Sequence, residues 1–497
     1  MKNKLLLGID VGTSSIKVSV VDAQTQRSVV SVIYPDDTER EIKSPEPNWA
    51  EQSPEQWWRD VKAAILKSRT ISQYDPDDIA AIGITYQMHG LVIVDKEQNV
   101  LRDAILWCDS RTEKQAAQGL QAIGEEKSLS HLLNFPGNFT ASKLAWVKQN
   151  EPEMYAKVDK FMLPGDFIAM KLTGAITSTV SMLSEGVFWD FKNKEISKDI
   201  LDTYGFGTSL FPETKPLFST HGLVTKDIAE ELDIPAGIPV SYKAGDQLNN
   251  ALSLNVFEPG EIATTAGTSG VVYAVADDLV YDRLSRINTF AHVNHTDKNN
   301  RLGVLLCING VGISNRWIKN IAGENLSYAQ MNELAASVAV GSEGLLFLPF
   351  GNGAERMLCN KYVGAGFSNI NLNIHTKAHL FRAVQEGIAF SFRYGLDIMR
   401  ENGMQTKIVR AGKANMFLSK VFTEVFVNTT GLTVELYNTD GSVGAALGAG
   451  IGLGIFGTPR DAFSKLELSE TIHPDEENVK MYEAVYQQWK KLLEKHV

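Results

Sequence analysis

Two aspartates stand where an apolar run ends: Asp10 in LLLGIDVGTSS and Asp246 in VSYKAGDQLNN. A carboxylate at a strand end points into a cleft, where it can hold a divalent cation or take the proton from a hydroxyl. For Asp246, which precedes a helix-like run, the plain alternative is a helix N-cap, and the two uses need not exclude each other. Asp10 leads directly into Gly12, Thr13 and Ser14, and the same tripeptide returns as Gly267, Thr268 and Ser269 in IATTAGTSGVVYAV. A tight turn of Gly, Thr and Ser between two β-prone runs gathers backbone N–H groups into one concavity that suits phosphate oxygens. One such turn satisfies ordinary turn geometry and proves little. Two of them, about half the chain apart, point to a pair of phosphate-facing hairpins in two halves of similar topology. Asp10 is then placed to hold Mg2+ against phosphates, directly or through water. Asp246 has the chemistry of the base that a phosphoryl transfer to an alcohol requires.

Polar side chains also gather where strands break. Gln87 and His89 of QMHG lie between two buried β-prone runs, Ala80 to Tyr86 and Leu91 to Val94, and WCDSR supplies Trp107, Asp109 and Arg111. This mixture of donors, acceptors and an aromatic face suits a polyhydroxylated ligand. The bland readings are a satisfied structural histidine and an Asp109–Arg111 pair on the surface. Near the other end, Ile408 and Val409 close a strand, Gly412 to Asn415 turn, and a helix carrying Phe417, Val421, Phe422, Val425 and Phe426 follows. Strand, small-residue loop, helix is a common nucleotide-binding arrangement. No GxxxxGK[ST] occurs, which disfavours the phosphate-loop ATPases. Gly444, Gly448 and Gly452, four apart on an expected helix, read as close helix packing.

The elements that must position these residues alternate between β-rich and amphipathic helical segments along the whole chain, an α/β pattern in more than one lobe. Leu5 to Ile9 and Ile16 to Val20 read as a β-hairpin. SPEQWWRDVKAAIL reads as a helix with Ser53 as N-cap, Pro54 in the first turn and Gln56 closing a capping box. The tail stripe of Tyr482, Val485, Tyr486, Trp489, Leu492 and Leu493 reads as packing. A boundary is expected near residue 250, before Pro259 and Gly260, giving a first lobe over 1–250 and a second over 251–497.

At 497 residues the chain has room for roughly two to four domains. Its 48 basic against 59 acidic side chains give a net charge of −11, which disfavours nucleic-acid partners, since these are held through clustered Lys and Arg. No window approaches the ~18 apolar residues of a membrane span. Gly8 and Asp10 interrupt the amino-terminal apolar run too early for a secretory signal. Three cysteines are too few for a disulfide framework or a four-ligand zinc site, and a reducing cytoplasm is expected.

GIDVGTSSIKV, WAEQSPEQWW, QMHGLVIVD, AILWCDSR, the AGDQ segment, ATTAGTSGVVYAV and GAGFSNINLNIHTKAHLFRAVQEGIAF together resemble the FGGY carbohydrate kinases, within the actin, sugar-kinase and heat-shock chaperone superfamily. The likeness spans nearly the whole chain. It implies two ribonuclease H-like lobes around a central cleft, sugar held mainly by the first and ATP mainly by the second. Asp246 would be the base toward the terminal hydroxyl of a ketopentose, D-xylulose first, with ribulose, gluconate or a polyol as alternatives. Gln87, Met88, His89, Trp107, Asp109, Arg111 and Gln247 would meet the sugar, and Asp10 the magnesium. The hairpins Gly12–Ser14 and Gly267–Ser269 would face phosphates, and Gly412, Lys413 and Asn415 would lie against the adenosine. Dimers are common among such proteins. Two departures stand out: RAGKAN replaces the family's glycine-rich adenosine loop, and GNGAERMLCNK keeps Glu355 and Arg356 but lacks the usual Thr-Pro. The competing readings are an actin-like or chaperone-like ATPase that moves a partner protein, and a sugar-binding regulator with little activity.

Overall fold

The computed structural model describes residues 4–36 and 38–497; residues 1–3 of the amino-terminal segment lie outside them. The chain forms two units. The first comprises Met1–Phe257 with Phe290–Leu302 and Thr439–Leu466, and the second Glu258–Thr289, Gly303–Asn438 and Glu467–Val497. The main division thus falls close to residue 250, but two segments of the second half belong to the first unit, which a single cut between 1–250 and 251–497 does not describe.

The sheet of the first unit contains β1 (Leu5–Val11), β2 (Ile16–Asp22), β3 (Arg27–Tyr34), β4 (Ile79–Tyr86), β5 (Gly222–Leu223) and β6 (Pro239–Gly245), in the order β5-β6-β4-β1-β2-β3. The β1/β2 hairpin and β3 are antiparallel neighbours, while β4 and β6 run parallel to β1. Period-two alternation sorts β1 between two faces. Leu5, Leu7, Ile9 and Val11 enter a core shared with Trp57, Val61 and Ile65 of the helix Pro54–Ile71. Ser53 caps that helix as expected, but Gln56 closes no box: its amide donates to Asp60, four residues on, and its carbonyl accepts from Arg59.

The opposite face of β1 carries Gly8 and Asp10 and receives the helix Gly441–Gly452. Gly8 pairs in register with Gly83 of β4. A Cβ on Gly8 would lie 1.8 Å from the Ser442 carbonyl oxygen, and one on Gly83 would lie 1.9 Å from that of Ala445. The helix backbone therefore rests directly on the sheet. Its own glycines complete the fit, Gly444 against Ser253, Gly448 against the Tyr242 ring and Gly452 against the Ser241 backbone, so their four-residue spacing does mark close packing.

The second unit repeats this plan. Its strands β7 (Glu261–Ala266), β8 (Gly270–Ala276), β9 (Leu302–Ile308), β10 (Ile408–Gly412), β11 (Thr433–Tyr437) and β12 (Leu468–Ile472) lie in the order β9-β8-β7-β10-β11-β12. The β7/β8 hairpin is antiparallel, β10 and β11 continue parallel to β7, and β12 closes antiparallel. In each unit a hairpin is flanked by two parallel strands and an antiparallel edge, the ribonuclease H-like arrangement. The core is built on the 25-residue helix Lys377–Glu401 and the terminal helix Glu476–Glu494, whose Tyr482, Tyr486, Trp489 and Leu493 are buried. Among the described residues no helix is long and apolar enough to cross a membrane.

Candidate active site

In the first unit, the register places Asp10 beside Thr85 of β4, and Thr85 beside Ala244 of β6. The carboxyl ends of β1, β4 and β6 are therefore level. From them emerge the Gly12–Ser14 turn, the QMHG segment and Asp246. Ligands of open α/β sheets gather at such strand ends. Asp246 opens the helix Asp246–Ser253 at its first residue, with Gly245 in the cap position, so it does not cap that helix.

Burial pushes the Asp246 carboxyl up to about 6, against the opposing pull of hydrogen bonds from the backbone N–H and side chain of Gln247. Asp10 is pushed further, to about 7, by burial and then by the charge of Asp246; Lys17 pulls it down and Asp440 adds a smaller push. Asp440 caps the helix Gly441–Gly452, accepting from the Ser442 N–H at 2.9 Å. The missing side chain of Gly441 leaves room for Asp10, since a Cβ there would lie 2.8 Å from Oδ2. Nearby, Thr85 Oγ1, Gln247 Oε1 and Asn250 Nδ2 are buried without a hydrogen-bond partner. Among the described residues there is no cluster of three His, Cys, Asp or Glu side chains able to cage a metal. Crowded carboxylates with orphaned polar atoms fit the looser mode of Mg2+, held through one or two carboxylates, water and a ligand's phosphates.

The first hairpin turn is wired to the expected sugar residues. Thr13 Oγ1 donates to Gln87 Oε1 at 2.9 Å and accepts from Trp107 Nε1 at 3.1 Å, and the Thr13 carbonyl accepts from Gln52 Nε2 at 2.9 Å. Gln87 is buried with its Nε2 unpartnered, whereas the Trp107 ring is half exposed. Met88 is buried, and a Cβ on Gly245 would lie 2.7 Å from its Cγ. His89 adopts the left-handed backbone, φ 59°, and its ring packs on Phe139 and Phe290, with centroids 5.0 and 5.5 Å apart.

Asp109 and Arg111 depart from expectation. Both side chains are fully buried and pair at 2.7 Å, so they form neither a surface pair nor a contact open to a ligand. Asp109 also accepts from the Ala50 N–H, while the Arg111 guanidinium lies 3.8 Å from the Trp49 ring centroid and binds Glu51. This is the interior scaffold of the WCDSR segment.

In the second unit, Thr264 of β7 stands beside Ala411 of β10, so the second Gly-Thr-Ser turn and the RAGKAN loop leave the sheet at one end. They border a cavity of about 360 Å³. Ala266, Gly267 and Thr268 line one side, and Asn415, Met416, Leu418 and Ser419 another. The Gly312 N–H donates to the Gly267 carbonyl at 2.8 Å, and a Cβ on Gly312 would lie 2.4 Å from that oxygen. Lys413 is not among the lining residues; its ammonium turns to Glu470 of β12 at 3.4 Å. Ser269 and Gly412 also lie outside the lining. Ser419 caps the helix Lys420–Thr430, which is why the helix starts after Phe417. Glu355 is buried and accepts from the Asn309 N–H.

Sequence reasoning missed Asn315, Arg316, Tyr328 and Asn332, which complete the cavity. Asn332 is oriented by a relay: Ser419 Oγ donates to Gln385 Oε1 at 2.7 Å, and Gln385 Nε2 donates to Asn332 Oδ1 at 3.0 Å. No local signal marks these residues, because their nearness to the turns is purely tertiary.

Residues 5–253 match the sequence model of the N-terminal domain of the FGGY family of carbohydrate kinases, and residues 262–453 match that of its C-terminal domain. A xylulose kinase of Staphylococcus epidermidis is 33% identical over 99% of this chain and 98% of its own. The crystal structure of xylulose kinase from Rhodospirillum rubrum superposes with a TM-score of 0.88 at 24% identity, covering 98% of both chains. That of gluconate kinase from Lactobacillus acidophilus also reaches 0.88, at 18% identity over 99% of this chain and 98% of its own. Two structures named for different acceptors are thus matched equally well by shape, and the fold by itself does not select the sugar. With both domain models matched in order and a relative a third identical along its whole length, the chain belongs to the FGGY family of carbohydrate kinases.

Proposed function

We propose that the chain transfers the γ-phosphoryl group of ATP to the C5 hydroxyl of D-xylulose, giving D-xylulose 5-phosphate and ADP. The observation that carries this reading is Asp246, a carboxylate at the end of β6, level with the QMHG segment and held near 6. A base at that value is ionised at neutral pH and still accepts a proton as one is released. Identity of 33% with a curated xylulose kinase over the full length supports D-xylulose as the acceptor.

In this mechanism Gln87, Met88, His89 and Trp107 hold and orient the ketose, and Gln247 steadies Asp246. As the new O–P bond forms and the bond from phosphorus to the β–γ bridging oxygen breaks, the hydroxyl proton passes to Asp246 and the leaving oxygen departs with ADP. The Gly12 N–H is bonded to the Ser15 carbonyl within its turn, so Thr13 and Ser14 there, and Gly267 and Thr268 in the second turn, would offer backbone N–H groups to phosphate oxygens, and the cavity lined by Asn315, Tyr328, Asn332 and Leu418 takes the nucleoside. Asp10 is the residue that would hold Mg2+, which when bound would supply charge neutralisation at the phosphates.

Coupled ADP release over D-xylulose, D-ribulose, other ketoses, polyols and gluconate tests the assignment. Highest kcat/KM is expected on D-xylulose, and Asp246→Ala is expected to abolish sugar-dependent turnover while sugar still binds. Sugar-independent ADP release would instead indicate an actin-like ATPase, and a preference for gluconate would reassign the acceptor.

A further inference from the structure

Resting on the reading of QMHG as a sugar-contacting segment, we propose that Glu185 and Lys143 are positioning residues that hold His89 in its ligand-facing pose. Neither is adjacent to His89 in sequence, and both are fully buried. His89 sits in the left-handed region, which a residue with a Cβ rarely adopts without support. Support reaches it from both sides. Glu185 Oε1 accepts the His89 N–H at 2.8 Å, and Lys143 Nζ donates to the His89 carbonyl at 2.7 Å.

The ring is fixed by the same residue, the last of the helix Val180–Glu185. His89 Nδ1 lies 3.1 Å from the Glu185 main-chain carbonyl, which only accepts, so Nδ1 carries a proton and the ring plane is set by this bond. Glu185 is itself anchored: Tyr86, the last residue of β4, donates its hydroxyl to Oε2 at 3.1 Å. The carboxyl packs so tightly on Gly245 that a Cβ there would lie 2.8 Å from Oε2. One buried acid thus ties the residue before QMHG, the histidine within it and the strand end that carries Asp246. Lys143 extends the grip by donating to the Asn138 carbonyl, next to Phe139, whose ring packs on His89.

The test compares Glu185→Met, which keeps bulk but has no strong acceptor, with Glu185→Gln, which keeps the acceptor, in full-length protein with D-xylulose and ATP. His89→Ala serves as the reference. Expected for Glu185→Met is a rise in the sugar KM of at least tenfold, with kcat within threefold and the KM for ATP unchanged; Glu185→Gln stays within threefold of the parent throughout. Lys143→Met is expected to move the sugar KM in the same direction. Should Glu185→Met not fold, Tyr86→Phe frees Oε2 and is expected to raise the sugar KM severalfold.

A folded Glu185→Met or Tyr86→Phe protein with an unchanged sugar KM, beside a raised KM in His89→Ala, overturns the proposal while leaving the sugar site intact. A Glu185→Gln protein as impaired as Glu185→Met also overturns it, because the retained acceptor should rescue. If His89→Ala leaves the sugar KM unchanged, the reading of QMHG as the sugar segment fails, and the positioning role falls with it.

Discussion

Replacement of Gln247 by Ala probes how the fold sets the basicity of Asp246. Two hydrogen bonds from Gln247, one from its backbone and one from its side chain, oppose the effect of burial, which pushes the carboxyl up to about 6. The substitution removes only the side-chain bond. A hydrogen bond to a charged acceptor is worth roughly 1.5 kcal/mol at the low end, suited to this partly accessible carboxylate. That corresponds to about one pH unit, so the acid limb of kcat/KM should move from about 6 to roughly 7. At pH 6.5 the ionised fraction then falls from ~75% to ~25%, a loss of about threefold, and at pH 8.5 the two proteins converge on this account. If the Gln247 side chain also touches the sugar, its removal adds a loss of kcat/KM that is equal at every pH, on top of the same shift of the limb. The assay is coupled ADP release with D-xylulose from pH 5 to 9. A limb that stays put or moves to lower pH in Gln247→Ala, or a parent enzyme with no limb between pH 5 and 7, would refute the reasoning.

Other consequences are equally concrete. Asp10 has its folded-state pKa raised to about 7 from 3.8, so the folded protein binds the extra proton and loses stability as pH rises from about 4 through 7. Asp10→Asn should therefore melt higher than the parent at pH 8 without divalent cation, by the equivalent of ~2–4 kcal/mol, and lose most activity; an unchanged or lower Tm contradicts the cost of burying this charge, with Asp246 beside it. Gly448→Ala places a methyl 2.8 Å from the Tyr242 ring and is expected to destabilise the first unit by about 1–3 kcal/mol in urea titrations. Arg111→Met strands the buried Asp109 carboxylate and should lower stability by roughly 3–5 kcal/mol, where a ligand-binding arginine would alter KM instead. Gln385→Leu breaks the relay to Asn332 and should raise the KM for ATP with little effect on the sugar KM; unchanged nucleotide affinity would detach the relay from the cavity.

The parts of this molecule that were legible in its sequence are those governed by local rules. Both Gly-Thr-Ser turns lie in hairpins because period-two runs and turn chemistry act over a few residues, and Asp246 follows a strand for the same reason. The glycine spacing of the helix Gly441–Gly452 announced close packing, but its partners did not show: Gly8 and Gly83, within continuous strands, leave the side-chain gap that seats that helix, over four hundred residues from the first of them. Asp109 and Arg111 offered ligand chemistry by type, yet Trp49 and Glu51 draw them inward. Glu185 passed unnoticed for the converse reason, since its contact with His89 spans 96 positions and only folding brings the two together. Lys413, polar and within the right loop, was drawn off by Glu470 on the edge strand β12.

The helix that rests on Gly8 and Gly83 also imposes an order on synthesis. The first unit takes its opening strand from residue 5 and the cover for one face of that strand from residues 441–452. A ribosome must therefore deliver the more than four hundred residues between that strand and that helix before this sheet can be sealed. Until then, the bare glycine strip and its apolar surroundings are open to water and to other nascent chains. A gene fragment ending near residue 253, although it holds Asp10, His89 and Asp246, would leave the protein maker with an unfinished, sticky half and no route to a working enzyme.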